Sequence, residues 1–249
     1  EEANAKGGVL GKKIELVSQD DQCKPELATN AATKLISDKV VAIMGPICSG
    51  ATNASLPMFE SANIISISPT ATTPALTLEG KHPLFLRTVA NDNAQAQLTS
   101  SYITDVLKAK KVAYLHDNGE YGKGFAQQNR TILEKAGVET VLFEAVTPDA
   151  VDFSAVVRKL RRAKADVLVF GGYQNTASKL VQQMRRDRVK TPLIGPDGVK
   201  DETFLKMTGK DSEGVMASYP KDTSTLAMYK HAREAHVKQF GSEPGFGYY

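Results

Sequence analysis

Short apolar segments alternate with longer segments of helical periodicity along most of this chain, with one strand and one helix in roughly every 20–30 residues. Strands separated by a helix cannot form hairpins with each other, so this alternation predicts an α/β fold of parallel sheets with helices on both faces. The predicted strands are residues 13–19, 40–44, 64–68, 84–89, 111–116, 139–145, 166–170, 192–195 and 214–219. The predicted helices are residues 24–37, 49–62, 93–109, 119–136, 152–163, 174–186, 201–207 and 225–240.

The alternation is interrupted at two places, which predict domain boundaries. The predicted strand 84–89 has no full helix before it, and the predicted strand 214–219 runs directly into Pro220. We interpret both as crossings between two lobes, near residues 88–91 and 217–222. The predicted lobes are residues 1–88 with 220–249, and residues 89–219.

Charge and composition argue against a nucleic-acid partner and against a membrane-spanning helix. The formal net charge is +3 over 249 residues, and Lys and Arg are scattered beside Asp and Glu instead of forming a basic stripe. Trp is absent and aromatic residues make up 7% of the chain, so a stacking platform for bases is not expected. No apolar run reaches the ~18–20 residues that a membrane helix needs.

The motifs of common enzymes are missing. The segment 45–50 lacks the Gly-Lys-Ser/Thr ending of a phosphate-binding loop, and Ser49 lacks the Gly-x-Ser-x-Gly context of a nucleophile elbow. The four His residues are dispersed, and His231 and His236 are five residues apart, off the spacing of a helical zinc pair. We therefore expect neither an amidase nor a nucleotide-dependent α/β enzyme, and neither a metal nor a cofactor.

The segment 40–52 predicts an anion site. An apolar run ends at Gly45-Pro46, and small polar residues then begin a helical pattern. Free backbone N–H groups and the positive end of the helix dipole meet at such a junction, where a carboxylate can bind. We predict that Ser49 holds the carboxylate of a small ligand, with hydroxyls of the loop 69–74 beside it. Ordinary capping by Ser and Thr is the alternative, and it is common.

Three strand-end loops of the second half, residues 117–122, 171–175 and 195–198, are predicted to face this site. They carry Tyr121, Tyr173 and Asp197. A carboxylate from Asp197 could bind an ammonium group. Because Pro-Asp-Gly is a strong turn signal in any protein, the residues alone favour an Asx-turn for Asp197.

The two cysteines, Cys23 and Cys48, each follow a predicted strand. Neighbouring strand ends suit a disulfide, which would indicate an oxidising compartment. Two buried free thiols are the alternative, and the spacing leaves both open.

Short motifs in these loops occur together in an order that resembles the periplasmic branched-chain amino-acid-binding proteins of the leucine/isoleucine/valine type, the solute receptors of ABC importers. The motifs run from Asn4 to about Tyr219 and are Asn-Ala-Lys-Gly-Gly at 4–8, Asp-Asp-Gln-Cys-Lys-Pro at 20–25, Gly-Pro-Ile-Cys-Ser at 45–49, Ser-Pro-Thr-Ala-Thr at 68–72, Leu-Arg-Thr at 86–88, Tyr-Gly-Lys-Gly at 121–124, Asp-Phe-Ser at 152–154, Gly-Gly-Tyr at 171–173 and Gly-Pro-Asp-Gly at 195–198.

The resemblance implies a hinged, two-lobed, type I periplasmic-binding-protein fold with the ligand between the lobes. It implies that Ser49, Thr72 and backbone near Thr70 bind the ligand carboxylate, and that Thr72 and Tyr173 lie near the amino group. Tyr121 matches a cleft aromatic, and Asp197 stands where leucine-type receptors have Glu at the ammonium. The full ligand-binding set it implies is Ser49, Thr70, Ala71, Thr72, Tyr121, Tyr173 and Asp197. It also implies a bridge between Cys23 and Cys48.

The resemblance also sets the expected function and its alternative. We expect a monomeric receptor, periplasmic or anchored outside the cell as a lipoprotein, that captures a branched-chain or related aliphatic amino acid for an ABC permease. The alternative is a sensory or regulatory domain of the same fold for an amide, a γ-amino acid or an aromatic acid. Family members begin before the Asn4 segment and continue past Tyr249, so we expect a chain truncated at both ends with an incomplete first lobe.

Overall fold

The computed structural model of this protein describes residues 2–148 and 150–244. Within these ranges there are two parallel sheets, one of three strands in the order β1-β2-β3 and one of five strands in the order β5-β4-β6-β7-β8. Every pair of neighbouring strands in both sheets is parallel. The alternation in the sequence therefore predicts the fold class correctly. The predicted span 220–249 extends outside the described residues from 245 onward.

The bounds agree with most of the predicted elements. The strands are β1 Ala42–Met44, β2 Ile65–Ser68, β3 Phe85–Arg87, β4 Lys111–His116, β5 Glu139–Ala145, β6 Val167–Gly171, β7 Leu193–Gly195 and β8 Met216–Ala217. The helices are α1 Glu2–Ala5, α2 Pro25–Ser37, α3 Ser49–Ser61, α4 Ala75–Leu78, α5 Asp92–Ser101, α6 Glu120–Lys135, α7 Ser154–Ala163, α8 Gln174–Arg186, α9 Glu202–Thr208 and α10 Ala227–Phe240. A π-helical turn, Tyr102–Val106, continues α5, and 3₁₀ turns lie at Asp197–Val199 and Gly209–Ser212.

The predicted strand 13–19 is wrong, because the structure forms no strand there. The backbone N–H and C=O of Ile14 bond to the side-chain amide of Asn4, at 2.7 and 2.8 Å, in place of a neighbouring strand. Leu16 is 84% exposed. Alternating apolar residues form a strand only where a neighbouring strand is present to hydrogen-bond with their backbone N–H and C=O groups.

The five-stranded sheet is covered by helices on both faces, and β6 at its centre is buried throughout. Leu168 and Phe170 point into one apolar cluster, which includes residues of α7 and α8. Val167 and Val169 point into the opposite cluster, which includes residues of α6. Because successive side chains of β6 point to opposite faces, this strand contributes to the apolar core on each side of the sheet.

The three-stranded sheet differs, since the described residues cover only one of its faces well. Ile43 packs with α2 and α3, whereas Met44 on the other face is 89% exposed. The inner positions of β2 include two serines. Ser66 donates to the carbonyl of Gly45 and Ser68 to that of Pro46, both at 2.6 Å. These bonds fix the loop between β1 and α3.

Helix α6 approaches β6 so closely that only glycine fits at the contact. A Cβ on Gly122 would lie 2.5 Å from the carbonyl oxygen of Gly171 and 2.3 Å from Oδ1 of Asp117. Gly124, on the same helix, has no heavy atom within 4 Å of such a Cβ. The contact places the first turn of α6, and with it Tyr121, against the end of β6.

The disulfide implied by the resemblance is present. Cys23 and Cys48 are bonded, with their Cα atoms 5.3 Å apart and a sequence separation of 25. Cys48 is the N-cap of α3, so the bond joins the turn at residues 20–23 to the beginning of that helix.

We predict opposite stability effects for two alanine substitutions on α6. Gly122→Ala must displace backbone and should lower the free energy of unfolding by about 1–3 kcal/mol. Gly124→Ala should raise it by roughly 0.5–1 kcal/mol, because alanine loses less backbone entropy in a helix. Urea denaturation followed by circular dichroism measures both. Equal effects of the two variants would contradict the close contact.

Replacing both cysteines by serine should lower the free energy of unfolding by about 3.5 kcal/mol, the loop-closure entropy expected for this separation. Thermal unfolding with and without a thiol reductant tests this expectation. Reductant should destabilise the wild type and leave the double variant unchanged. A wild type that is insensitive to reductant under unfolding conditions would show that the bond contributes little.

Candidate functional site

Ser49 ties together two strand-end loops of the three-stranded sheet. It is the first residue of α3 and is buried. Its Oγ accepts a hydrogen bond from the backbone N–H of Thr73, at 3.2 Å. Because a hydroxyl that accepts one bond can still donate its own proton, Ser49 remains able to bind an anion. The cap residue Cys48 makes no side-chain capping bond, so the N-terminus of α3 is not occupied by its own cap.

The loop 69–74 uses some of its predicted donors within the protein. The backbone N–H groups of Thr70 and Ala71 both donate to Oγ of Ser68, at 3.4 and 3.0 Å. The Thr70 hydroxyl donates to the carbonyl of Ile47, at 2.7 Å. The buried hydroxyl of Thr72, in contrast, makes no bond within this loop and lies beside the carboxylate of Asp92. Of these three predicted residues, Thr72 is the one that lines the cavity described below.

Arg87 organises this loop, a role that sequence reasoning missed. Its guanidinium donates to the carbonyls of Ala71 and Thr73, both at 2.9 Å, and to the hydroxyl of Thr77. Burial lowers the pKa of Arg87, whereas the nearby charge of Asp92 raises it. The only signal in the sequence was a single basic residue that ends an apolar strand.

The second half of the site gathers around Asp197. Its buried carboxylate accepts a bond from the Tyr121 hydroxyl and one from the backbone N–H of Gly198, the latter at 2.9 Å. Tyr121 in turn stacks on Tyr173, with ring centroids 5.0 Å apart. The structure thus brings together the three residues that the sequence placed on separate loops. It also places Asp197 in a turn. Asp197 therefore has both the turn that Pro-Asp-Gly predicts and a position facing the other loops of the cleft.

Contacts between the two halves show that they face each other. Tyr173 packs against the cluster of Ala28, Cys48 and Ala51 beside the start of α3. A Cβ built on Gly50 would lie 4.0 Å from Cβ of Glu120 on α6.

A cavity of about 850 Å³ lies between the loops of the two sheets, and Thr72 and Asp197 line it together with Gln95 and Ser218. Thr72 belongs to the first loop set and Asp197 to the second. A ligand here would meet a hydroxyl from one half and a carboxylate from the other.

The electrostatics of the site are dominated by buried acids. Burial raises the pKa of Asp197, although bonds from the Tyr121 hydroxyl and the backbone N–H of Gly198 oppose the shift. Burial raises the pKa of Asp92 to about 7, with the Asp197 charge adding to the effect and the Thr72 hydroxyl opposing it. The pKa of Tyr121 is raised well above its usual value by burial and by both carboxylates.

Because Asp is a preferred N-cap residue, the sequence predicts that Asp92 caps the helix 93–109, and this prediction is wrong. Asn91 is the N-cap of α5, and its side chain accepts from the backbone N–H of Asn93, at 3.0 Å. Asp92 lies inside the first turn and is 1% exposed. Nothing local in the sequence distinguishes a capping Asp from one whose side chain is buried in the fold.

Sequence comparison identifies relatives along nearly the whole chain. A family model described as periplasmic binding protein matches residues 1–245. The Leu/Ile/Val-binding protein of Citrobacter freundii is 34% identical over 227 residues, which cover 91% of this chain and 62% of that protein. An amino acid binding protein of Pseudomonas aeruginosa is 38% identical over 225 residues, covering 89% and 60%. The chain therefore spans about three fifths of the length of these relatives.

Solved structures with the same fold include close geometric matches. The branched-chain amino acid transporter substrate binding protein LivJ from Streptococcus pneumoniae, in complex with isoleucine, matches with a TM-score of 0.86 and 28% identity over 99% of this chain and 71% of that chain. A leucine binding protein, LivK, from Thermotoga maritima has a TM-score of 0.89 at 23% identity, with the same coverage, and shows the shared fold.

The two parallel sheets with their flanking helices, the loops that meet between them and the match over residues 1–245 agree with one another. This chain belongs to the periplasmic binding protein family and has its type I fold.

Proposed function

We propose that this chain forms the ligand cleft of a solute-binding receptor of an ABC importer and captures a small amino acid, branched-chain or a related aliphatic one. The observation that carries the proposal is the single cavity lined by Thr72 from one loop set and Asp197 from the other. A zwitterion needs donors at one end and a carboxylate at the other, and the two sides of this cavity supply them. The names of the relatives, which include Leu/Ile/Val-binding proteins, support an amino acid as ligand.

In this proposal Ser49 and Thr72 bind the ligand carboxylate at the N-terminus of α3. The Ser49 hydroxyl is held by Thr73 with its proton free, and the Thr72 hydroxyl lines the cavity beside Asp92. Backbone near Thr70 and Ala71 shapes the loop, because its N–H groups are held by Ser68. The helix dipole adds to the attraction for a negative charge.

The ammonium end points to Asp197. Tyr121 and Tyr173 stack behind that carboxylate and form an aromatic wall, although neither ring is among the residues that line the cavity. Asp197 is one methylene shorter than the Glu that the leucine-type receptors carry, and its carboxylate is already held by the Tyr121 hydroxyl. An ammonium group must therefore lie close to this wall to reach the carboxylate. Short aliphatic side chains are compatible with that position.

Ligand capture is proposed to follow from closure of two lobes, residues 1–88 with 220–249 and residues 89–219, about the crossings at 88–91 and 217–222. Tyr173 already touches the cluster beside α3, which is the contact expected in a closed form. A ligand that contacts both lobes binds the closed form better and shifts the population towards it. An ABC permease is the proposed partner that distinguishes the two forms.

The proposed location is outside the cytoplasm, either in the periplasm or on the cell surface through a lipid anchor. The disulfide between Cys23 and Cys48 supports an oxidising compartment. Within the described ranges no helix combines the length and apolarity needed to cross a bilayer. The non-enzymatic role is proposed on the same grounds, because the relatives are named as binding proteins.

A ligand series tests the zwitterion assignment. Isothermal titration calorimetry should detect binding of leucine, isoleucine or valine to the protein. For the tightest of the three, analogues that lack the amino group or the carboxylate should bind at least tenfold more weakly, because each leaves a buried charged or polar partner unpaired. If an analogue binds as tightly as its parent amino acid, the group that it lacks makes no important contact. The end of the cavity assigned to that group would then be wrong.

A pair of serine variants on α3 tests the carboxylate site. Ser49→Ala should weaken binding by about 10–100-fold, the value of a hydrogen bond to a charged group. Ser55→Ala is the control, because Ser55 is buried on the same helix and donates only to the carbonyls of Ala51 and Thr52 within it. The control should change stability slightly and affinity not at all. Equal affinities of the two variants would argue against Ser49 as a ligand contact.

A further inference from the structure

Asp92 occupies a position that its helix does not require. It lies just after the predicted crossing at 88–91, and its backbone N–H donates to the carbonyl of Thr72, at 3.0 Å. Its side chain is buried. The Thr72 hydroxyl, which lines the cavity, lies beside this carboxylate and lowers its pKa as a hydrogen-bond donor. The Asp92 carboxylate therefore lies directly behind a hydroxyl of the cavity wall, although Asp92 itself is not among the residues that line the cavity.

Gln95 connects Asp92 to the other carboxylate of the site. In the amide orientation that satisfies its neighbours, Gln95 donates to Oδ1 of Asp92, at 3.1 Å. It then accepts from the backbone N–H of Asp197, at 2.9 Å, and from the Ser218 hydroxyl, at 3.2 Å. Gln95 also lines the cavity. The amide therefore fixes Asp92 and Asp197 relative to each other.

The charges around Asp92 leave the pair of acids without a full counterion. Arg87 acts on it from β3, but the guanidinium of Arg87 donates to loop carbonyls. Asp197 acts on it from the 3₁₀ turn after β7 and is of the same sign. Tyr121 on α6 and Tyr173 at the start of α8 are the other titratable groups that sense its charge, and both are neutral with a raised pKa.

We propose that Asp92 is a second carboxylate of the ligand's ammonium site, held beside Asp197 by Gln95. This inference rests on the proposed function and goes further, because it gives the site two acids for one ammonium group. A group with a single positive charge is then attracted by both acids, and a ligand without an amino group leaves both without a counterion. The site selects for a primary ammonium over a neutral amide.

The inference has a consequence for pH. Burial raises the pKa of Asp92 to about 7, and the bond from Gln95 opposes that shift, so without ligand the acid is partly protonated near neutral pH. An ammonium group favours the ionised form, so binding releases a proton and affinity rises with pH. If the pKa falls from about 7 to 5 or below on binding, the affinity increases roughly ninefold between pH 6 and pH 8.

The substitution that isolates this charge is Asp92→Asn. Asparagine keeps the size of the side chain and an oxygen that can accept from Gln95, so the packing is preserved and the ionisation is lost. Asp166→Asn is the control, because Asp166 accepts from the backbone of Lys110 and Lys111 at the beginning of β4, the opposite end of the sheet. Calorimetry with the tightest amino acid ligand, between pH 6 and pH 8 and in two buffers of different ionisation enthalpy, reports affinity and proton release together.

The wild type and D166N should bind more tightly as pH rises, with proton release near pH 7. D92N should bind at least tenfold more weakly at pH 8, with a flatter profile and less proton release. The part of the pH dependence that remains in D92N belongs to Asp197, whose pKa is also raised. D92N with wild-type affinity and wild-type proton release would overturn the inference and leave the proposed function intact. A wild type that binds no amino acid would overturn both.

Thermal unfolding without ligand excludes a folding defect. A buried acid with a raised pKa favours the folded state at low pH, and this contribution is lost as pH rises through about 7. D92N should therefore be at least as stable as the wild type at pH 8. Weak binding by a D92N protein that is also clearly less stable at pH 8 would indicate a structural role and count against the inference.

Discussion

The hydrogen bond from the Tyr121 hydroxyl to the Asp197 carboxylate is the interaction on which the organisation of the cleft depends. Tyr121 is placed by the contact of Gly122 with Gly171, and Asp197 is placed by the turn that follows β7. The bond therefore joins two strand ends of the five-stranded sheet through side chains. It also orients the carboxylate before any ligand is present, which reduces the ordering that a ligand must impose.

Most of the fold could be predicted from the sequence because most strands are marked by a short apolar run. The runs that become β4, β5 and β6 are apolar and bounded by turns, and the loops that carry Ser49, Tyr121, Tyr173 and Asp197 follow strand ends directly. In parallel sheets such loops meet at one edge, so simple topology brings their residues together. The segment 13–19 is the exception: its residues alternate as in a strand, but no strand within residues 2–148 and 150–244 pairs with it.

The parts of the site that could not be predicted depend on tertiary contacts. Whether the N–H groups of Thr70 and Ala71 face a ligand or Ser68 is decided by the position of β2, which the local sequence does not specify. Arg87 and Gln95 act across loops that are distant in sequence from them. Asp92 is the clearest case, because a cap and a buried acid have the same sequence pattern next to a helix start. Burial decides between them, and burial is a property of the assembled chain.

Because of the disulfide between Cys23 and Cys48, one side of the cleft is more rigid than the other. The disulfide fastens one strand-end turn to the beginning of α3, directly beneath the residue that we assign to the ligand carboxylate. On the opposite side, hydrogen bonds and ring stacking hold the residues together, and these can open and reform. In the proposed complex, the negative end of the amino acid meets the rigid side of the cleft, and adaptation to different side-chain shapes occurs on the aromatic side.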